Sequence, residues 1–306
     1  MNGGERSAVT VGVVSTFNPS INLVQNCEAL LKQCADVVVV DDGSSSPDES
    51  IFDAVSARGC SVLRLYTNSG IAAALNEGVR HARSRHPDLD FILTMDQDSL
   101  VDPGFVRDLE KTAADAQSDG LKVGMVAPGH VSGLPSRARK KYKSVVIGDE
   151  PVQSGLLIPV TCVDAVGPFN EELFIDGVDS EFYLRAKAAG LNCIIAQDAS
   201  LTHSLGAMVP ASLGPLPIKW RGQPVMVRTA ASWRYYFIVR NRILLCGRFF
   251  RTDPYWAVRG LLLDIRHLLL VSVLASGRGA RLSAALRGCT DGIRGRTGAS
   301  PMRQAH

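Results

Sequence analysis

Short β-branched runs alternate with segments of helical period through the first part of the chain. Residues 9–16 read as a strand, after which Ile21, Val24, Cys27 and Leu31 recur at helical spacing. Residues 37–40 form a second strand, followed by a helix opened by Pro47 with Ile51, Phe52 and Val55 on one side. A third strand at 61–66 precedes a helix marked by Ile71, Leu75 and Val79. Residues 91–95 make a fourth strand, Pro103 opens another helix, and 123–127 make a fifth strand. Strands that are apolar on both faces and alternate with helices predict an α/β fold with a buried, parallel sheet between helical layers. Ligands of such sheets bind outside the carboxyl ends of the strands, so polar motifs at those ends carry the interest.

The pattern changes at residues 131–143, where Gly, Pro and Ser accompany Arg137, Arg139, Lys140, Lys141 and Lys143; this composition predicts a mobile loop or flap near the site. Extended stretches follow at 145–147 and 152–158, then a helix near 180–189 and a strand at 192–197. Residues 205–224 are rich in Gly and Pro and read as a crossing linker. Beyond it, 233–250 and 255–274 are helical. The second of these is very apolar, yet Arg259, Asp264, Arg266 and His267 sit at its middle. Those charges are costly at a bilayer centre, so the helix is expected to be packed or interfacial, not spanning.

Charge is spread unevenly. From Ser232 onward there are thirteen arginines, no lysine and three acids, about +10, which leaves about −7 for the preceding residues given the net +3 of the whole. A basic tail that is also rich in Leu, Val and Phe points to an anionic membrane surface more than to nucleic acid. The seven cysteines are scattered without a C-x-x-C pair, indicating neither a zinc site nor a disulfide framework. The polar first residues show no signal peptide, and the cytoplasm, at the inner face of the membrane, is the expected compartment.

The chemistry gathers at strand ends. Asp96-Gln97-Asp98 follows the fourth strand, where residues two apart project to the same side and can share a cation. Hard carboxylate oxygens suit Mg²⁺ or Mn²⁺, which in turn holds a diphosphate and offsets the charge it acquires on leaving. An isolated D-x-D is more often a solvated turn; its place after the fourth strand of an α/β alternation reverses that. Asp41-Asp42-Gly43-Ser44 ends the second strand, where a carboxylate can accept from a base N–H, or simply make a turn and a helix cap. Asn68-Ser69-Gly70 opens a helix of small residues, open to close ligand approach and favourable to phosphate, or to tight packing.

Taken in order, Val13–Pro19 (VVSTFNP), Val39–Ser44 (VVDDGS), Asn68–Ala72 (NSGIA), Met95–Ser99 (MDQDS) and Phe174–Glu181 (FIDGVDSE) resemble the motifs of the family 2 glycosyltransferases, nearest their bacterial rhamnosyltransferase branch. The resemblance runs from about residue 9 to 206, more weakly over 233–245. It implies a GT-A fold, a Rossmann-like, mostly parallel sheet flanked by helices, over residues 1–206, with a donor half to about 128 and an acceptor half from about 145. Residues 207–306 would then be linker and C-terminal helices. It further implies an inverting mechanism, Mg²⁺ or Mn²⁺, a dTDP-L-rhamnose donor and a lipid-linked or surface polysaccharide acceptor. Carried over residue by residue, Thr16, Asn18 and Asp41, with Asp42, line the nucleoside pocket. Asn68, Gly70, Ile71 and Asn76, with Gln97, line the rest of the donor site, and Asp96 and Asp98 hold the metal. In this family a His after the 192–197 strand can complete the metal shell, which here is His203. The sequence departs from the branch at Gly177, where an aromatic is common, and this bears on the acceptor pocket.

Asp176, Asp179 and Glu181 supply an acid cluster opening the helix that carries Arg185. Inversion needs one carboxylate to take the acceptor's proton, and acids at a helix start are also ordinary dipole partners. The resemblance favours Asp179 as base, with Glu181 binding acceptor and Asp176 positioning it. Other classes fit less well. A sugar-nucleotide pyrophosphorylase needs a basic, Gly-rich loop after the first strand, and residues 16–20 have neither Gly nor Lys. A dinucleotide dehydrogenase needs G-x-G-x-x-G there. A non-catalytic sugar-nucleotide-binding module would not need to keep Asp96, Asp98 and Asp179. Within the family, UDP-galactofuranose and UDP-hexoses are alternative donors.

Overall fold

The computed structural model describes residues 7–203, 206–214 and 216–300, which divide into two compact units. The first comprises residues 7–171 and 178–203, and the second Glu172–Gly177 with the chain from 206 onward. The six residues before the acid-rich helix thus group with the second unit.

In chain order the first unit opens with β1 (Thr10–Thr16), α1 (Asn22–Leu31), β2 (Asp36–Asp41), α2 (Glu49–Ala57), β3 (Ser61–Arg64), α3 (Ile71–Arg85) and β4 (Phe91–Asp96). It continues with β5 (Leu100–Val101), α4 (Phe105–Ser118), β6 (Val123–Val131), β7 (Leu134–Pro135), β8 (Ala138–Tyr142), β9 (Val145–Gly148) and β10 (Leu156–Pro159). The last elements are α5 (Val160–Val166), α6 (Val178–Ala188) and β11 (Asn192–Thr202). The strands form one sheet in the order β3-β2-β1-β4-β10-β6-β11-β9-β8, with β5 on the end of β11 and β7 on the end of β6. The α/β class and the first four parallel strands are as the apolar runs predict. Val11, Val13, Val37–Val40, Ile92, Leu93 and Met95 are all buried, each worth about 1.5–3 kcal/mol of transfer free energy.

Three differences have physical causes. The sheet is mixed, because β10 enters antiparallel between β4 and β6. The basic stretch at 131–143 is not a loop: β8 pairs antiparallel with β9 at the sheet edge, and all five of its residues are exposed. A strand with both faces in water needs no apolar alternation, and lysines on it discourage pairing with another chain. In α1 the buried face is Leu23, Val24, Cys27 and Leu30, whereas Ile21 lies outside the helix and 65% exposed. All seven cysteines are free thiols, and burial pushes those of Cys162 and Cys193 up to about 12, so they are inert at neutral pH.

The second unit contains a ladder of Ala207–Pro210 with Met226–Thr229, two shorter ladders between them, and the helices α7 (Arg234–Phe249), α8 (Pro254–Leu274) and α9 (Arg278–Ile293). The segment read as a crossing linker thus has its own strand pairs; Leu205 lies outside the described residues. On α9 the buried Ala284, Ala285, Gly288 and Gly292 are small enough to let α7 approach closely. Arg240 of α7 is fully buried, its guanidinium donating to the carbonyls of Leu173 (2.9 Å) and Gly298 (2.5 Å) and lying 4.9 Å from the Phe237 ring centroid. Asn241 donates to the carbonyls of Leu173, Ile175 and Asp176. Two of the mid-helix polar groups of α8 are explained by packing: Asp264 accepts from Arg242 Nε at 2.6 Å, and His267 meets the Tyr235 hydroxyl at 3.1 Å, while Arg266 is exposed. Among the described residues no helix is long and apolar enough to cross a membrane.

Candidate functional site

Register alone assembles the site. Thr16 lies opposite Asp41, Ser15 opposite Asp96 and Asp41 opposite Arg64, so the carboxyl ends of β1 to β4 finish in one row. The loops beyond them are tied to one another. Asn18, at φ +46, donates its backbone N–H to Ser44 Oγ at 2.7 Å, and its side chain meets Ser45 and Ser46. Gln97 Oε1 accepts from the Phe17 N–H at 2.7 Å, while its carbonyl accepts from Asn26. Gly43 takes φ +64, and a Cβ there would lie 2.5 Å from the Thr67 carbonyl carbon, so the 41–44 turn can meet residues 67–68 only as glycine.

Asp41 is 1% exposed and both its oxygens are engaged, one by Ser44 and the other by Arg64 Nε at 2.7 Å. Arg64 also reaches Glu49 and covers the Phe52 ring; Glu49, then Asp41, raise its pKa. A base N–H at Asp41 would compete with this guanidinium, which motif reading overlooked although Arg64 ends the neighbouring strand. Asp42 accepts from the N–H groups of Ser69 (2.7 Å) and Gly70 (2.9 Å), the two residues before α3, and so fixes the turn that opens that helix. Ile71 is the first residue of that helix. Asn76 is saturated elsewhere: it exchanges hydrogen bonds with the backbone of Phe169 and donates to Glu171, bracing that segment. Thr16 Oγ1, Asn68 Oδ1 and both amide atoms of Gln153 are buried without a hydrogen-bond partner. Each such orphan costs about 1–3 kcal/mol, and Thr16, Asn68 and Gln153 all belong to loops or strand ends on this row.

The acidic pair meets its histidine through a strand pairing. β11 runs on past the 197 expected for it because its end pairs with β5, Thr202 opposite Leu100, and this brings His203 beside Ser99. His203 Nδ1 lies 2.9 Å from Ser99 Oγ and 3.3 Å from Asp98 Oδ1, and Nε2 lies 3.6 Å from Asp96 Oδ2. Ser99 Oγ also meets Ser154 Oγ at 2.6 Å, which accepts the Asp96 N–H. Ser132 fixes His203 from the other side, bonding both its N–H and its carbonyl. One donor atom each from Asp96, Asp98 and His203 falls within 4.8 Å of the others. A divalent ion with ligands at about 2.0–2.2 Å requires donors some 3–4.4 Å apart, so two carboxylates and an imidazole within 4.8 Å would hold Mg²⁺ or Mn²⁺ after a small closure. A cation held by these three residues would keep capacity for the oxygens of a diphosphate.

The acid cluster separates into three environments. Asp179, half-buried in the first turn of α6, accepts the Ser180 N–H at 2.8 Å. Glu181 departs from its expected part as acceptor ligand: it is fully buried, and both oxygens accept from Arg185 Nε one helical turn on, at 2.8 and 3.0 Å. Arg185 in turn caps the carbonyls of Val166 and Pro168. Asp176, at φ +61, is paired by both oxygens with Arg234 within the second unit. Gly177 takes φ +88, a backbone that would strain the aromatic residue common in the branch.

Against known proteins, the chain matches the description "Glycosyl transferase family 2" over residues 13–174, more than half of its 306 residues. It is 25% identical over 304 residues to a dTDP-rhamnosyl transferase, RfbF, of Shigella flexneri, covering 94% of this chain and 96% of that one. Among solved structures, GalNAc-T7 with UDP, GalNAc and Mn²⁺ superposes with TM-score 0.53 at 13% identity, over 64% of this chain and 43% of that one. The 1–349 portion of S. aureus TarS in complex with UDP gives 0.50 at 15% identity, over 94% and 92%. These likenesses in fold agree with a mostly parallel, helix-flanked sheet of GT-A type. A D-x-D and a histidine brought together at its carboxyl edge, within and just beyond the matched stretch, accord with the same assignment: the chain belongs to glycosyl transferase family 2 and is a glycosyltransferase.

Proposed function

We propose that the chain is an inverting, metal-assisted transferase that moves L-rhamnose from dTDP-L-rhamnose onto a lipid-linked or surface polysaccharide acceptor at the inner face of the cell membrane. The observation that carries the reading is the convergence of Asp96, Asp98 and His203 at the carboxyl edge of the sheet. The rhamnosyl donor is supported by the likeness to RfbF across nearly the whole of both chains. A cation held there would neutralise the charge that builds on the departing nucleoside diphosphate. Asp179 is the base: it takes the proton of the acceptor hydroxyl as that oxygen attacks the anomeric carbon. The bond from that carbon to the diphosphate oxygen breaks on the opposite face, and the electron pair leaves with the nucleotide. Ser99, Ser154 and Ser132 hold the imidazole of His203 and the backbone of Asp96 in place.

The test is release of nucleoside diphosphate from a panel of sugar nucleotides, with EDTA, Mg²⁺ or Mn²⁺, for the wild type and Asp98→Asn. The expected result is turnover of dTDP-L-rhamnose that EDTA abolishes, a divalent ion restores and the substitution cripples. Full activity in EDTA refutes the metal, and much faster turnover of UDP-galactofuranose or a UDP-hexose refutes the donor.

A further inference from the structure

The outer side of α8 is an apolar stripe that nothing among the described residues covers. Tyr255, Val258, Leu262, Ile265, Leu269 and Val273 follow one another at three or four residues, one side of a helix, and Leu262 and Leu269 are 62% and 61% exposed. The opposite side of the helix carries Trp256, Ala257, Gly260 and Val271, all buried. α9 repeats the arrangement on a smaller scale, with exposed Leu282, Leu286 and Ile293 on one line and exposed Arg287 and Arg294 on another. Elsewhere in the same unit, Trp220 is exposed between Lys219 and Arg221.

Charge selects the occupant. Between residues 206 and 300 the acids are Asp253, Asp264 and Asp291, none of them exposed. Asp253 caps α8, Asp264 pairs with Arg242, and Asp291 takes the Tyr236 hydroxyl and Arg296. The exposed charge of the helices is therefore cationic, with Arg251, Arg266, Arg278, Arg287 and Arg294 at the surface. We infer that this surface docks on an anionic lipid bilayer, with α8 lying in the interface plane, its stripe in the acyl boundary and the arginines among the head groups. A second copy of the chain is the competing occupant for such a stripe. Apposing this surface to itself would set arginine against arginine, whereas anionic head groups neutralise it. The inference rests on the proposed function only for what the docking serves, which is to bring a donor site to a lipid-linked acceptor.

The experiment is sedimentation of the full chain with phosphatidylcholine vesicles, with and without phosphatidylglycerol, at low and high salt, alongside analytical ultracentrifugation without lipid. Binding is expected only with phosphatidylglycerol, weakened by salt, and reduced about tenfold or more in a Leu262→Glu, Leu269→Glu variant. Both positions are exposed, and circular dichroism checks that the variant folds. Arg287→Gln with Arg294→Gln gives a second, charge-only variant, expected to lose part of the binding and most of its salt dependence. No binding to anionic vesicles at low salt, or binding indifferent to both variants, overturns the inference. A concentration-dependent dimer broken by the glutamates, with no vesicle binding, overturns it in favour of the second copy. Because neither donor nor acceptor is present, failure here leaves the sugar-transfer reading standing, and the converse also holds.

Discussion

Replacing Glu181 by Gln separates a structural acid from a catalytic one. Glu181 has no exposed surface, and its two oxygens accept from Arg185, whose side chain is 17% exposed. Breaking a buried pair by neutralising one partner typically costs about 3–5 kcal/mol, because the other charge is left uncompensated. Arg185 keeps its bonds to the Val166 and Pro168 carbonyls and some contact with water, and the glutamine retains one acceptor oxygen. The cost should fall around the lower end of that range, about 2–4 kcal/mol. For a unit of this size that corresponds to a melting temperature lower by roughly 4–16 °C. Asp179→Asn, at a half-buried position in the first turn, should leave the melting temperature within a few degrees and reduce transfer by about a hundred- to ten-thousand-fold. Thermal melts paired with transfer rates below the melting range give both quantities. The reasoning is refuted if Glu181→Gln melts like the wild type yet transfers nothing, since that would place Glu181 in the chemistry.

Two further outcomes follow from the geometry. Gly43→Ala places a methyl 2.5 Å from backbone on a left-handed residue, so it should destabilise by about 1–3 kcal/mol or more and weaken nucleotide binding, read by melting and calorimetry. His267 has its pKa lowered by burial, with Asp264 opposing and Arg281 and Arg266 adding to the shift. The folded state therefore prefers the neutral imidazole, and stability present above the unfolded value near 6.5 is lost as pH falls below it. His267→Gln should flatten the fall of melting temperature between pH 7 and pH 5; an unchanged slope would assign that fall to other groups.

Several parts of the fold and site could be read from residue pattern because burial writes itself into it. The runs that became β1, β2 and β4 carry apolar residues on both faces since both faces are covered, and α2 buries Ile51, Phe52 and Val55 as their spacing indicates. Order within the sheet was not legible. Leu156–Pro159 is as apolar as a parallel strand, and nothing local shows that β10 runs antiparallel between β4 and β6. β8 looked like a loop because a strand with no buried face has no period. At the site, motif spacing singled out Asp96 and Asp98 and family resemblance added His203. The β5–β11 pairing that delivers His203, and the Ser99–Ser154 relay behind it, are tertiary facts. Glu181 misled because an acid at a helix start has the same signature whether it faces substrate or, as here, an arginine one turn away.

The clamp on Glu172–Gly177 has a consequence for how the chain is made. The carbonyls of Glu172 and Leu173 find their partners in Arg240, Asn241 and the N–H of Gly298. At about 5–20 residues per second, Gly298 leaves the ribosome roughly 6–25 s after Leu173. Until Arg240 and Asn241 follow, about halfway through that interval, six residues, two of them non-glycine residues in left-handed backbone, lack most of what holds them. The nascent protein can pair β1 to β4 early, but this segment must wait for α7 to be made, and for Gly298 later still.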